Sequence, residues 1–215
     1  MNKIGIFLAL AVATLTGGCD VTGIRGDGNV VTEQRSIGPY SEVHTSGAVK
    51  VEWRTGSPAL SVTTDQNLMQ YFETKNVGKR LDLRMRERVR PTHGVKIVLS
   101  GPSLSGAKLS GAADLIAHSV TGPSFSVQST GAADITVDGT VDELLADLTG
   151  ASELRAKGLQ AKIVEISTTG AANASVTASE KLRVAITGAG DVTYSGNPPT
   201  IEKHVTGAGS IHHKD

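Results

Sequence analysis

Arg80, Arg84, Arg86, Arg88 and Arg90 crowd between residues 80 and 90, alternating with Leu81, Leu83, Met85 and Val89. Side chains of a strand point alternately to its two faces. One strand over this run would place all five guanidiniums on a single face, with Asp82 among them and Glu87 opposite. Such a face can grip sulfate, phosphate or uronate through paired hydrogen bonds. In a cell envelope those groups belong to anionic polysaccharide or lipid head groups. The plainer reading is an exposed strand whose charges pair with nearby glutamates and keep an edge from aggregating.

A second set recurs along the chain: Asp114, Asp134, Glu153, Asn173, Asp191 and Ser210. Stacked on neighbouring coils these oxygens would lie about 5 Å apart. Calcium wants six to eight oxygen ligands, yet the Gly-Gly-x-Gly-x-Asp nonapeptide of calcium turns is missing. A solvated polar row at turn exits is the simpler account. The six histidines include the sequential pair His212 and His213, which on a strand face opposite ways and do not share a metal. No Gly-x-Ser-x-Gly elbow, no phosphate loop with Lys and no thiol nucleophile is present. The sequence therefore implies no catalytic residues, no metal and no cofactor. With 21 basic and 21 acidic side chains the formal net charge is zero, which argues against nucleic acid as the partner.

Cys19 is the one cysteine, so neither an internal disulfide nor a thiolate zinc site can form. Met1-Asn2-Lys3 is followed by an apolar run from Ile4 to Leu15, then Thr16-Gly17-Gly18 before the cysteine. This reads as a signal peptide over 1–18. The small residues before Cys19 resemble a bacterial lipobox, with Leu15 one place early, and imply a lipid-anchored cysteine on the membrane surface. The Gly-rich stretch after it reads as a flexible tether, giving a lipidated cysteine and tether over 19–35.

The elements that must position these groups come from a repeat. Ser110-Gly111-Ala112-Ala113, Thr130-Gly131-Ala132-Ala133, Thr149-Gly150-Ala151-Ser152, Thr169-Gly170-Ala171-Ala172, Thr187-Gly188-Ala189-Gly190 and Thr206-Gly207-Ala208-Gly209 are one motif, with glycines 20, 19, 20, 18 and 19 residues apart. A fixed period of this size marks a solenoid. Four places after each Gly stand Leu115, Ile135, Leu154, Ala174, Val192 and Ile211. Two places further stand Ala117, Val137, Ala156, Val176, Tyr194 and His213. Two places before Gly stand Leu109, Ser129, Leu148, Thr168, Ile186 and Val205. Alternation on both sides of the motif means strands. Gly would turn the corner at positive φ, and the two small residues after it would face the adjacent coils closely. Ala151→Leu is then expected to overpack, and the Ser/Thr column to form hydroxyl ladders. Aromatics at 3% and 25 glycines suit such a stack better than a bulky core.

With Gly28-Asn29-Val30-Val31 and Arg35, Ser46-Gly47-Ala48-Val49-Lys50-Val51, Thr64-Asp65-Gln66-Asn67-Leu68, Leu81-Asp82-Leu83 and the Gly-Ala repeats, the chain resembles the bacterial head GIN domain family, named as an auto-transporter adhesin, over about residues 26–211. The resemblance implies an all-β, single-stranded, right-handed parallel β-helix (β-solenoid), often on an envelope lipoprotein, with coils here of about 18–20 residues. It implies little about activity. Residues 36–105 read as irregular N-terminal coils and a cap, which a solenoid needs at its ends, and 106–215 as the regular repeats. The function expected is a non-enzymatic, envelope-anchored module for glycan or another envelope component. The alternatives are a self-assembling structural protein or a polysaccharide-degrading enzyme on the same scaffold.

Overall fold

The computed structural model describes residues 22–214; the segment read as a signal peptide, and Cys19, lie outside the described residues. The chain is nearly all β, with a solenoid of about five turns. The strands of the first half are β1 (Ile24–Arg25), β2 (Val30–Arg35), β3 (Glu42–Ser46), β4 (Lys50–Thr55) and β5 (Ala59–Asp65), then α1 (Gln66–Met69) and β6 (Phe72–Val77). They continue as β7 (Arg80–Met85), β8 (Val89–Arg90), β9 (Lys96–Gly101) and β10 (Gly106–Gly111). The regular coils are β11 (Asp114–Gly131), β12 (Asp134–Gly150), β13 (Glu153–Gly170) and β14 (Asn173–Gly188), closed by β15 (Asp191–Ser195), β16 (Thr200–Gly207) and β17 (Ser210–His213).

The coil register follows the glycine spacing. Leu115 pairs with Ile135, Ile135 with Leu154, Leu154 with Ala174, Ala174 with Val192 and Val192 with Ile211, all in parallel. All but the terminal Ile211 are buried. Each fully buried Val, Leu or Ile side chain stabilises the stack by about 1.5–3 kcal/mol, and the smaller Ala174 by less.

The corner glycines all have positive φ, from 94° at Gly111 to 131° at Gly188. A Cβ on Gly150 would stand 2.3 Å from the carbonyl oxygen of Gly131, and one on Gly188 2.1 Å from that of Gly170. Conformation and close approach both demand glycine here. Of the two residues after it, only the second turns inward: Ala113, Ala133, Ser152 and Ala172 are buried, whereas Ala112, Ala132, Ala151 and Ala171 are exposed. The expected overpacking by Ala151→Leu is therefore corrected, because that methyl points to solvent. The Thr column stacks in register, but Thr130, Thr149, Thr169 and Thr187 make no side-chain hydrogen bonds among the described residues. Strands about 4.8 Å apart leave such hydroxyls beyond mutual reach, so no hydroxyl ladder forms.

The N-terminal half adds a seventh corner. Ser46-Gly47-Ala48-Val49 lies directly under the first repeat, Ser46 pairing with Ser110 and Val51 with Leu115. The chain then leaves the stack to build the coil beneath, with β7 under β3 and β9 under β4. Antiparallel strands finish that end: β6 on β7, β5 on β9 and β2 on β5. Leu68, Met69 and Phe72 close the core there. The segment expected as a tether is folded from residue 22 onward. Its strands pair with β5 and β8, and Gly26 packs so tightly on Asp65 that a Cβ would lie 2.3 Å from the carboxylate.

Candidate functional site

The arginine run divides between two places. On β7, Leu81 and Leu83 are buried, so Arg80, Asp82 and Arg84 point outward. β7 ends at Met85, and the alternation ends with it. The Arg86 amide donates to the Tyr71 carbonyl and its guanidinium to the Gln70 carbonyl at 3.0 Å. The Arg88 side chain donates to Thr22 Oγ1 at 3.3 Å, and Arg90 lies on β8 in a separate two-stranded sheet with β1. The expected face of five guanidiniums on one strand is not formed, because the chain turns away at residue 86 to pair with the N-terminal segment.

Arg80 and Arg84 instead join a long lateral face whose members are scattered in sequence. One row runs Lys75, Asp82, His44, Lys108, Gln128, Asp147, Ser167, Ala185 and His204, each paired to the next by strand register. Beside it runs Glu73, Arg84, Ser46, Ser110, Thr130, Thr149, Thr169, Thr187 and Thr206. At about 4.8 Å per strand the rows extend roughly 38 Å.

Two depressions lie on this face. The first, about 310 Å³, is lined by His44, Ser46, Glu73, Lys75, Arg84 and Lys108 among others. The second, about 350 Å³, lies over β11–β14 and is lined by Gln128, Leu145, Asp147, Glu165, Ser167 and Arg183 among others. Arg84 Nε meets Glu73 Oε2 at 2.7 Å, and this bond holds the Glu73 carboxyl below its usual range. Arg80 Nε lies 2.7 Å from Asp82 Oδ1. The His44 ring nitrogens are 3.9 Å from Glu42 and 4.0 Å from Asp82. Burial foremost, with Arg80 and Lys108 assisting against those carboxylates, pulls the His44 pKa down. At neutral pH the imidazole is thus uncharged and leaves Lys75, Arg84 and Lys108 as the cations of this depression.

His44, Lys75 and Lys108 were missed in the sequence because they lie on three different strands. Lys108 had a readable signal, since it opens the column three places before each repeat glycine. The acidic column is otherwise engaged: Asn173 Oδ1 accepts the Asp191 amide at 2.9 Å, Asp191 Oδ1 accepts the Ser210 amide at 3.1 Å, and Arg155 pairs with Glu153 and Asp134. Among the described residues no three potential ligands gather as a metal would need.

The motif around Asp65 is a structural knot. Its buried carboxylate accepts the amides of Gly28 and Thr92 at 2.9 and 2.8 Å and the Thr92 hydroxyl at 2.6 Å. Burial alone would raise its pKa, but these hydrogen bonds outweigh it and hold the carboxyl low.

The family described as "Putative auto-transporter adhesin, head GIN domain" matches residues 39–198. No curated protein matches the chain. Among solved structures, a putative adhesin from Bacteroides fragilis aligns at TM-score 0.72 and 20% identity, covering 89% of this chain and all of the other. A putative lipid binding protein from Parabacteroides distasonis aligns at 0.59 and 24% identity, over 90% and 100% of the two chains. A putative adhesin from Parabacteroides merdae aligns at 0.55 and 17%, over 90% and 99%. At these identities the likeness is one of fold.

Proposed function

The chain belongs to the head GIN domain family, and from that premise we propose that it is a non-enzymatic binding module of the cell envelope, anchored through a lipid on Cys19. It recognises an extended anionic polymer, an envelope glycan first of all, along the lateral face. The observation that carries this reading is the strip of paired polar rungs with Lys75, Arg84 and Lys108 around one depression. A linear polymer presents a repeating series of groups to such a strip, and a parallel stack answers it with side chains at a constant spacing. The cations attract carboxylate, sulfate or phosphate, and exposed hydroxyls hydrogen-bond sugar hydroxyls directly or through water.

The test is binding of the protein without its first 19 residues to a panel of envelope glycans and lipid head groups at two salt concentrations. The lipid arm answers the name carried by the Parabacteroides distasonis relative. Binding should weaken with salt and fall when Lys75, Arg84 and Lys108 become Ala. Replacing Arg86 and Arg88 should leave it intact. Loss on replacing Arg86 and Arg88, and not on replacing the first three, would move the site to the N-terminal turn and overturn the assignment.

A further inference from the structure

The coil of β16 and β17 lies at the end of the described stack with its inner column in view. Among the described residues β16 pairs with β14 alone, setting Ile201 on Leu182, Lys203 on Val184 and Val205 on Ile186. In the coils beneath, these columns hold buried residues, none charged: Phe125, Val127 and Ser129 in one, Leu144, Ala146 and Leu148 in the next. In β16 every residue is exposed, Ile201 at 42% and Val205 at 41%. Between them stands an ammonium. Lys203 Nζ lies 5.0 Å from the centroid of the Tyr194 ring, which stacks on His213 at 4.8 Å. No ion pair among the described residues includes Lys203.

Two kinds of end-to-end contact between copies have to be considered. Head-to-tail, the open edge would meet the opposite end, which antiparallel strands and the buried Leu68, Met69 and Phe72 have sealed. Tail-to-tail, two β16 strands would pair antiparallel about a two-fold axis. The register that covers Ile201 of each copy with Val205 of the other sets Lys203 directly opposite Lys203. Like charges facing each other across a strand pair repel, and an inward-pointing charge on an edge is a known guard against such pairing.

We propose that Lys203 makes this edge charge-selective: it turns away a second copy and accepts a strand of another partner that carries Asp or Glu at the facing position, with apolar residues two places to either side. The mode is strand addition, with backbone hydrogen bonds giving affinity and the central pair giving choice. Opposite charges on adjacent coils are already this molecule's habit, as in Lys162 with Asp142 at 2.7 Å, Lys181 with Glu202 at 3.1 Å and Lys96 with Glu52 at 3.1 Å. Lys203 is the position where the next rung is missing.

The protein itself supplies the probe. Wild type and Lys203→Glu are each examined alone and as an equal mixture by sedimentation equilibrium, with melting curves to verify folding. Each alone should remain monomeric, and the mixture should associate about 10-fold or more tightly than either, with exchange protection appearing at the β16 amides. Lys203→Leu, which removes the repulsion, should self-associate. The proposal is overturned if the mixture associates no more tightly than its components, if wild type pairs with itself through β16, or if folded Lys203→Leu stays monomeric.

Discussion

The regular coils and the N-terminal cap share one core and are held in different ways. From Gly111 to Gly207 the same contacts recur: the alanine amide after each corner glycine from Gly131 onward donates to the glycine carbonyl of the coil below, at 2.8–2.9 Å. The corner contacts there are repeated, so a fault in one coil is met by coils of the same construction on either side, although singular contacts such as the buried Ser129–Ser152 hydroxyl bond at 2.7 Å also occur. In the cap each junction has its own polar fastening. Arg35 donates to the carbonyls of Phe72 and Met69 and lies 5.2 Å from the Phe72 ring, the Tyr40 hydroxyl donates to the Ser100 carbonyl at 2.9 Å, and Asp65 ties residue 28 to residue 92. Repetition builds the stack from local rules, whereas closing its end takes singular long-range bonds.

That contrast can be broken at either side. Gly150→Ala, in the middle of the stack, forces a side chain into positive φ and against a carbonyl; a loss of about 3–5 kcal/mol is expected by chemical denaturation. Asp65→Ala should cost about 2–4 kcal/mol by leaving two amides and a hydroxyl without their acceptor. Because the folded carboxyl titrates below its ordinary value of 3.8, its contribution is whole well above that value and is lost as pH falls from there through the folded pKa. Acid unfolding of wild type should therefore steepen there, and that feature should be missing in Asp65→Ala. Ala172→Leu, at the buried corner position, should cost about 1–3 kcal/mol by overpacking. Ala151→Leu, one place earlier in its own corner and exposed, should change stability by no more than about 0.5 kcal/mol.

A spectroscopic version needs no mutation. Burial pushes the Tyr40 phenol up to about 12. Its contribution to stability is whole below pH 10 and declines as pH rises through 12. An absorbance titration should show one tyrosine ionising late, unless the cap opens first.

The repeat was legible because its signal is local: Gly111 through Gly207 carry period, corner and inner columns within a few residues of each glycine. Ser46-Gly47-Ala48-Val49 was legible within the irregular coils but not as a corner in register with the repeat, because the chain wanders from Gly47 to Gly111 before returning to the stack and no fixed interval marks the pair. The lateral site was half legible for the same reason. Arg80 and Arg84 were visible as a run, but periodicity cannot tell that β7 stops at Met85. Lys75, His44 and Lys108 are brought beside Arg84 by pairings of strands distant in sequence. The tether reading failed because residues 24–35 have edge-strand composition, and only their partners β5 and β8 make them ordered.

The central claim is that recognition occurs on the face running from Lys75 to His204. It is tested most directly by titrating the isotope-labelled protein with a short oligouronate and mapping amide shifts. The account predicts shifts at Lys75, Arg84, His44 and Lys108, spreading along Thr130 and Thr149, and growing as pH falls and His44 gains its proton. Shifts confined to the separate row in which Thr136, Arg155, Ser175 and Thr193 pair in register across β12–β15, or to Arg86 through Arg90, would contradict it.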